Sequence, residues 1–339
     1  MRRPHGWTRR PAFFALALLL VTASCKKAPG VWHDLSHHTV RFVTVANDVQ
    51  LEVLDWGGTG RPVVLLAGSG CTAHIFDEFA GKLAGPVHVY GITRRGFGAS
   101  SHPESGYTRQ RLADDVLQVL DSLKLVRPVL AGHSMAGDEM TTLASQHPER
   151  LSGLVYLDAA RGLSHDFAEI GKKLASAHLH PISPAEPEDN SFSAYRAWEL
   201  RRNGFAFPES ELRNEYETNR DGTKGTNRTA LGIFAALGSA DRGRDYSLVR
   251  VPVLAIFALP ASAAQMIVRT YQFAPSDERA PVEQAFAILV NFIREDEMSI
   301  QKCAAGVRVV ELPGSDHYVF LASETDVLRE VRSFLAELH

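Results

Sequence analysis

Residues 129–137 read Val-Leu-Ala-Gly-His-Ser-Met-Ala-Gly. An apolar run ends in Gly132-His133-Ser134-Met135-Ala136-Gly137, and a helical pattern follows. A strand that turns directly into a helix presses two backbones together, so only small residues fit on either side of the residue at its tip. Gly132 and Ala136 bracket Ser134 in this way. Taken alone, the pattern also fits a serine that caps a helix N-terminus. The sequence on either side decides between the two.

Working outward, Arg41–Ala46 and Gln50–Trp56 read as a hairpin around Asn47-Asp48. Short apolar runs follow at Val63–Ala67, Val87–Ile92, Pro128–Ala131, Leu154–Leu157, Val253–Phe257 and Val307–Leu312. Most do not alternate, as expected of parallel strands covered on both faces. Helical stretches such as Thr108–Leu125 lie between them, and Ser323–Leu338 closes the chain. The alternation predicts an α/β doubly wound fold with a mostly parallel, eight-stranded sheet flanked by helices. From Arg161 to Arg250 the rhythm breaks, over a span too long for a simple crossover. Its helical patches carry Trp198, Phe205, Phe207, Tyr216 and Phe234, while Asp189-Asn190 and Asn219–Asn227 read as loops. The expected layout is a core of residues 39–160 and 251–339 with residues 161–250 as an inserted helical cap. A second long connection, Ala261–Ala305, holds a helix near Val282–Arg294.

With a strand before it, a helix after it and the strands in this order, the chain resembles an α/β-hydrolase. The similarity is to the branch with epoxide hydrolases, haloalkane dehalogenases and capped esterases, and it covers roughly residues 40–338. Ala67-Gly68-Ser69-Gly70, Thr93-Arg-Arg-Gly-Phe-Gly-Ala-Ser100 and Gly314-Ser-Asp-His-Tyr318 carry it further. The resemblance implies a nucleophile at Ser134, activated by a base, since a serine hydroxyl is a poor nucleophile at neutral pH. It implies a histidine after the last strand, where His317 stands. His133, beside the serine, leaves the turn in another direction. The acid departs from the usual pattern. The strand ending Ile256-Phe-Ala-Leu-Pro260 has no carboxylate until Asp277, whereas Leu154-Val-Tyr-Leu-Asp158 ends in one. Asp158 is therefore the expected partner of His317. A helix cap is its alternative role, and Asp277, Glu278 and Asp316 are the alternative acids. The resemblance places the oxyanion hole at the backbone N–H of Met135 together with that of Ser69 or Gly70. Arg94 and Arg95 read as braces of the sheet edge; no Gly-Lys-Ser/Thr follows to make a phosphate loop.

The reaction expected from this set is cleavage of an ester-type bond through an acyl-enzyme, on a small hydrophobic substrate, with no cofactor and no metal. Amide or carbon–carbon bond hydrolysis uses the same machinery and stays open. Epoxide hydrolysis and dehalogenation use a carboxylate nucleophile, which Ser134 replaces. A binding protein that keeps the scaffold without catalysis is the alternative from another class. Phe76, Tyr318 and Phe320 lie on loops that could line an apolar pocket, or simply pack the core.

The N-terminus reads as an address. Arg2, Arg3, Arg9 and Arg10 precede an apolar run, Ala12–Val21, and Thr22-Ala23-Ser24-Cys25 closes it. This is the pattern of a secretory signal peptide over residues 1–24, too short for a stable membrane-spanning helix. Val-Thr-Ala-Ser-Cys resembles a bacterial lipobox, which implies lipidation of Cys25, a lipid anchor and a periplasmic or cell-envelope location. Residues 25–38 then form a polar tether. Removing residues 1–24 takes the formal charge from −3 to −7, because four arginines and no acids leave with them. There is no basic excess to hold a phosphate backbone, so nucleic acid is not an expected partner. Ordinary globular composition, 45% hydrophobic and 22% charged, excludes disorder and fibre. Three cysteines are too few for a disulfide scaffold. Cys71 and Cys303 could pair in an oxidising compartment, or be two small buried hydrophobes.

Overall fold

A computed structural model describes residues 32–160, 167–177, 180–181, 190–239, 244–267, 271–272, 279–303 and 305–338. The expectations for the signal segment, for Cys25, for Asp189 and for the alternative acids Asp277 and Glu278 lie outside the described residues. Among the described residues no helix is long and apolar enough to cross a membrane.

The described residues form twelve strands: β1 (Thr39–Val45), β2 (Val49–Gly57), β3 (Pro62–Leu66), β4 (His88–Ile92), β5 (Val129–His133), β6 (Gly153–Leu157), β7 (His180–Pro181), β8 (Tyr216–Thr218), β9 (Lys224–Asn227), β10 (Val253–Leu259), β11 (Tyr271–Gln272) and β12 (Val307–Pro313). Eight of them build one sheet in the order β1-β2-β4-β3-β5-β6-β10-β12. The pairs β1/β2 and β2/β4 are antiparallel, and every other pair is parallel. This is the α/β-hydrolase arrangement expected from the sequence.

The lack of hydrophobic alternation has a direct cause. Val64, Leu66, Leu130, Leu154, Tyr156, Ala255 and Phe257 enter a core on one face of the sheet. Their neighbours Val63, Leu65, Val129, Val155, Leu157, Leu254 and Ile256 enter a second core on the other. Successive side chains of a strand point to opposite faces, so a strand buried on both sides must be apolar throughout. On the first face pack helices α2 (Arg109–Ser122), α3 (Ala136–Gln146) and α9 (Arg279–Ile300); on the second pack α1 (Asp77–Leu83), the short α10 (Val319–Ala322) and the C-terminal α11 (Glu324–Glu337). Phe76 and Phe320 belong to this second core, fully buried with ring centroids 4.6 Å apart, and do not line a pocket.

The long insertion holds α4 (Phe167–Ser176), α5 (Phe192–Asn203), α6 (Glu209–Glu215) and α7 (Leu231–Ser239). Part of the stretch expected as a loop, Asn219–Asn227, is instead strand. Tyr216–Thr218 and Lys224–Asn227 pair as an antiparallel hairpin, closed by Gly222 at φ 83° and by Asn219 N–H to Thr223 O. Two such short, polar strands leave no hydrophobic pattern to read. The insertion also joins the second long connection, which carries α8 (Ala263–Ile267) and α9. Leu174 and Ala177 pack with Ala263, Val282 and Phe286, and β7 pairs with β11. Cys71 and Cys303 are free and buried, so the hydrophobe reading holds and the pairing does not.

Candidate active site

In a parallel sheet the strand ends that share one edge collect the residues that follow them. Here β3 runs into Gly68, β5 into Ser134, β6 into Asp158 and β12 into the 314–317 turn. Registry makes the neighbours explicit. His133 pairs with Leu157, and one residue further on Ser134 N–H reaches Leu157 O at 3.4 Å while Asp158 N–H donates to Ile256 O at 2.8 Å. Ser134 and Asp158 are therefore side by side on adjacent strands. Both sit at positive φ, 53° and 47°. Non-glycine residues seldom adopt that conformation, and it turns each chain sharply out of the sheet.

Glycine is required where this turn is tightest. A Cβ on Gly132 would lie 2.9 Å from Ala136 Cβ, and one on Gly137 would lie 2.1 Å from Ala159 O. Alanine at 136 is tolerated because its partner, Gly132, has no side chain. A Cβ on Gly68 would lie 3.1 Å from Ser134 Cβ, which puts the 68–71 loop directly over the serine.

Asp158 is fully buried, and its two oxygens have separate duties. Oδ1 accepts the Ala258 N–H at 3.0 Å, and Oδ2 accepts from His317 Nδ1 at 2.6 Å. A carboxylate oxygen can only accept, so His317 carries its proton on Nδ1 and leaves Nε2 with a lone pair. His317 and Ser134 are only partly buried and so can be reached. His133 is buried; its Nε2 donates to the His317 carbonyl at 3.0 Å, and the two rings lie 4.5 Å apart. It is a buttress for the His317 turn. Asp316 is turned to its own backbone, where Oδ1 accepts the Tyr318 N–H at 3.2 Å.

The N–H of Met135, the N-cap of α3, precedes the helix's own hydrogen-bond ladder. In the facing loop, Cys71 N–H bonds Gly68 O and Thr72 N–H bonds Glu211. Ser69 and Gly70 lie at the exposed end of this loop.

The loop is held from below by Arg94, whose guanidinium donates to Ala67 O at 2.9 Å and Gly68 O at 3.4 Å, and to Glu139 of α3. Burial pushes Glu139 up, against the pull of Arg94. Arg95 forks onto Asp115 at 2.6 and 2.8 Å. From above, Glu211 of α6 accepts both the Thr72 N–H, at 2.8 Å, and its hydroxyl. Burial, with Glu215 nearby, pushes Glu211 up to about 8 despite those bonds. Arg244 ties Asp138 to the carbonyl of Ala159, just past Asp158. Sequence reading anticipated the arginine braces but not Glu139, Glu211, Arg244 or the part of His133. Their partners lie 45 to 184 residues away along the chain, and no local pattern marks them.

Aromatic side chains of the insertion crowd this edge. Phe205 and Phe207 lie 6.1 and 4.9 Å from the Tyr318 ring, which adjoins His317. On the other side Phe234 approaches Gly70, and packs with Ile233, Phe97 and Met135.

Comparison with known proteins agrees with this fold. A sequence model of the alpha/beta hydrolase family matches residues 63–331. The 2-(acetamidomethylene)succinate hydrolase of Mesorhizobium japonicum is 23% identical over 278 residues, 82% of this chain and 89% of that one. The sn-1-specific diacylglycerol lipase ABHD11 of Xenopus laevis is 32% identical over 127 residues, 37% of this chain and only 39% of the lipase. Among solved structures, an E-2-(acetamidomethylene)succinate hydrolase superposes with a TM-score of 0.63 at 20% identity, over 88% of this chain and all of that one. A thermophilic esterase from Thermogutta terrifontis superposes with a TM-score of 0.56 at 20% identity, over 89% of this chain and 99% of that one. The chain belongs to the alpha/beta hydrolase family, and it is a hydrolase.

Proposed function

We propose that this enzyme is a serine hydrolase that cleaves carboxylic ester-type bonds through an acyl-enzyme. The observation that supports the reading most is the buried Asp158 carboxylate, bonded at 2.6 Å to His317 Nδ1 and lying on the strand end next to Ser134. Ser134 Oγ attacks the substrate carbonyl and its proton passes to His317 Nε2. Asp158 stabilises the imidazolium that forms. The negative oxygen of the tetrahedral intermediate takes hydrogen bonds from Met135 N–H and from Ser69 or Gly70 N–H, each donor worth about 3 kcal/mol in the transition state. The intermediate collapses as His317 returns the proton to the leaving alcohol. Water, deprotonated by His317, then attacks the acyl carbon and releases the acid and Ser134. No step calls for a cofactor.

Residues 161–250 act as the cap over this edge, and Phe205, Phe207 and Phe234 favour a small, hydrophobic acyl or alcohol portion. The related 2-(acetamidomethylene)succinate hydrolase is named for an acetamido substrate, so amides are the second class to examine. The protein itself is carried across the inner membrane by residues 1–24 and held in the cell envelope by a lipid on Cys25. A panel of p-nitrophenyl esters, anilides and lactones, run beside the Ser134→Ala protein, tests the assignment. Ester turnover that vanishes in the variant supports it. Turnover equal in both proteins refutes it.

A further inference from the structure

Away from the triad, Asp34, His38, His74 and Asp77 converge, each offering one ligand atom within 4.8 Å of the others. Asp34 Oδ2 stands 3.8 Å from His38 Nε2 and 3.8 Å from His74 Nδ1, and His74 Nδ1 is 3.3 Å from Asp77 Oδ2. The remaining ring nitrogens are also engaged. His38 Nδ1 lies 2.8 Å from Asp77 Oδ1, and His74 Nε2 lies 3.5 Å from Glu52 Oε1. We propose that these four side chains form a structural site for a single Zn²⁺, with two imidazole nitrogens and two carboxylate oxygens as ligands.

Three features carry the assignment. A tetrahedral Zn²⁺ with bonds of about 2.0–2.1 Å sets its ligand atoms roughly 3.4 Å apart, close to the measured spacings. Asp34 is the least buried of the four and can close the remaining gap by rotating its side chain. Second, His74 presents Nδ1 to the cluster while its Nε2 faces the Glu52 carboxylate, which is not a ligand, the arrangement that orients metal-bound histidines. Third, two carboxylates balance a divalent charge, and a nitrogen–oxygen donor set selects Zn²⁺ over Mg²⁺ or Ca²⁺. An open groove of ≈ 720 Å³, lined in part by Asp34, His37, Trp56 and Asp77, gives an ion access from solvent.

The site links three parts of the chain. Asp34 and His38 come from the N-terminal segment. His74 follows by two residues Thr72, which Glu211 grips next to the 68–71 loop. Asp77 bonds Ser210 of α6 and the Trp56 indole. A bound ion would therefore fasten the N-terminal segment to the loop that faces Ser134. The inference is independent of the ester chemistry proposed above.

The test uses the untagged protein, stripped with chelator and titrated with ZnCl₂ or CoCl₂. One equivalent of Zn²⁺ should bind at micromolar concentration, with a melting temperature raised by several degrees. Co²⁺ should give the intense visible bands of a four-coordinate ion. Asp34→Asn and His38→Gln should each weaken Zn²⁺ binding at least 100-fold, while His37→Gln, next to the cluster but outside it, should leave it intact. The proposal fails if the wild-type protein binds no stoichiometric Zn²⁺, if Co²⁺ gives only the weak bands of a six-coordinate ion, or if folded Asp34→Asn and His38→Gln bind as wild type does.

Discussion

Replacing Asp158 by asparagine keeps the shape of the side chain and changes one atom from acceptor to donor. The native carboxylate accepts hydrogen bonds from Ala258 N–H on Oδ1 and from His317 Nδ1 on Oδ2, and it is fully buried. An amide has only one oxygen. If that oxygen stays with Ala258, the NH₂ group faces His317 Nδ1, and the ring must move its proton to Nε2. An Nε2–H cannot receive the Ser134 proton. If the amide flips, its NH₂ faces the buried Ala258 N–H, which loses its acceptor, at a cost of about 1–3 kcal/mol. The first arrangement avoids that cost and is the one expected. Turnover should then fall roughly 10³–10⁴-fold, or about 4–5.5 kcal/mol of transition-state stabilisation. The assay is kcat and KM for a p-nitrophenyl ester, with circular dichroism to establish folding and a fluorophosphonate probe to follow the serine. KM should change little, and labelling should slow in step with kcat. A folded Asp158→Asn protein within tenfold of wild type would refute the assignment and return the search to Asp277, Glu278 or Asp316.

Arg94→Met removes the brace under the 68–71 loop and strands Glu139 in the core, so stability should fall by roughly 3–5 kcal/mol; the double variant Arg94→Met/Glu139→Gln should regain much of that in a denaturant melt yet keep a reduced kcat. Full recovery of kcat would show that the carbonyl contacts to Ala67 and Gly68 do not matter. Glu211 titrates at about 8 in the folded chain, above its ordinary value of 4.5. The folded state therefore holds a proton that the unfolded chain releases, and stability contributed by this group falls as pH rises from about 4.5 to about 8. Glu211→Gln should flatten that decline in a series of thermal melts, and parallel curves for the two proteins would contradict the reasoning. Lipidation at Cys25 predicts partition into the detergent phase on Triton X-114 separation, lost in Cys25→Ala; identical partition of both would refute the anchor.

The fold and the three candidate catalytic positions were legible for the same reason. Residues that end parallel strands share one sheet edge whatever their separation along the chain, so Ser134, Asp158 and His317 could be placed by counting strands. The departure at Pro260 pointed to Asp158 because the next strand over ended in a carboxylate. What escaped were the partners of the bracing and packing side chains. Arg94 was legible as a brace, but Glu139, Asp115 and the loop carbonyls were not. Phe76 and Phe320 were read as hydrophobic, yet which layer they join depends on α1 and α11 packing over them. The β8–β9 hairpin is short and polar, so it has neither alternation nor β-branched enrichment to announce it. Residues 32–38 are polar in composition, and composition does not reveal that His38 reaches a buried contact with Asp77 or that Trp32 lies under Arg213.

The most direct measurement is to trap the nucleophile and locate it. The protein is treated with a fluorophosphonate, digested, and the modified peptide sequenced by mass spectrometry. The adduct should lie on Ser134 alone, with complete loss of ester turnover and no labelling of Ser134→Ala. An adduct on another residue, or turnover that survives full modification of Ser134, would contradict the account.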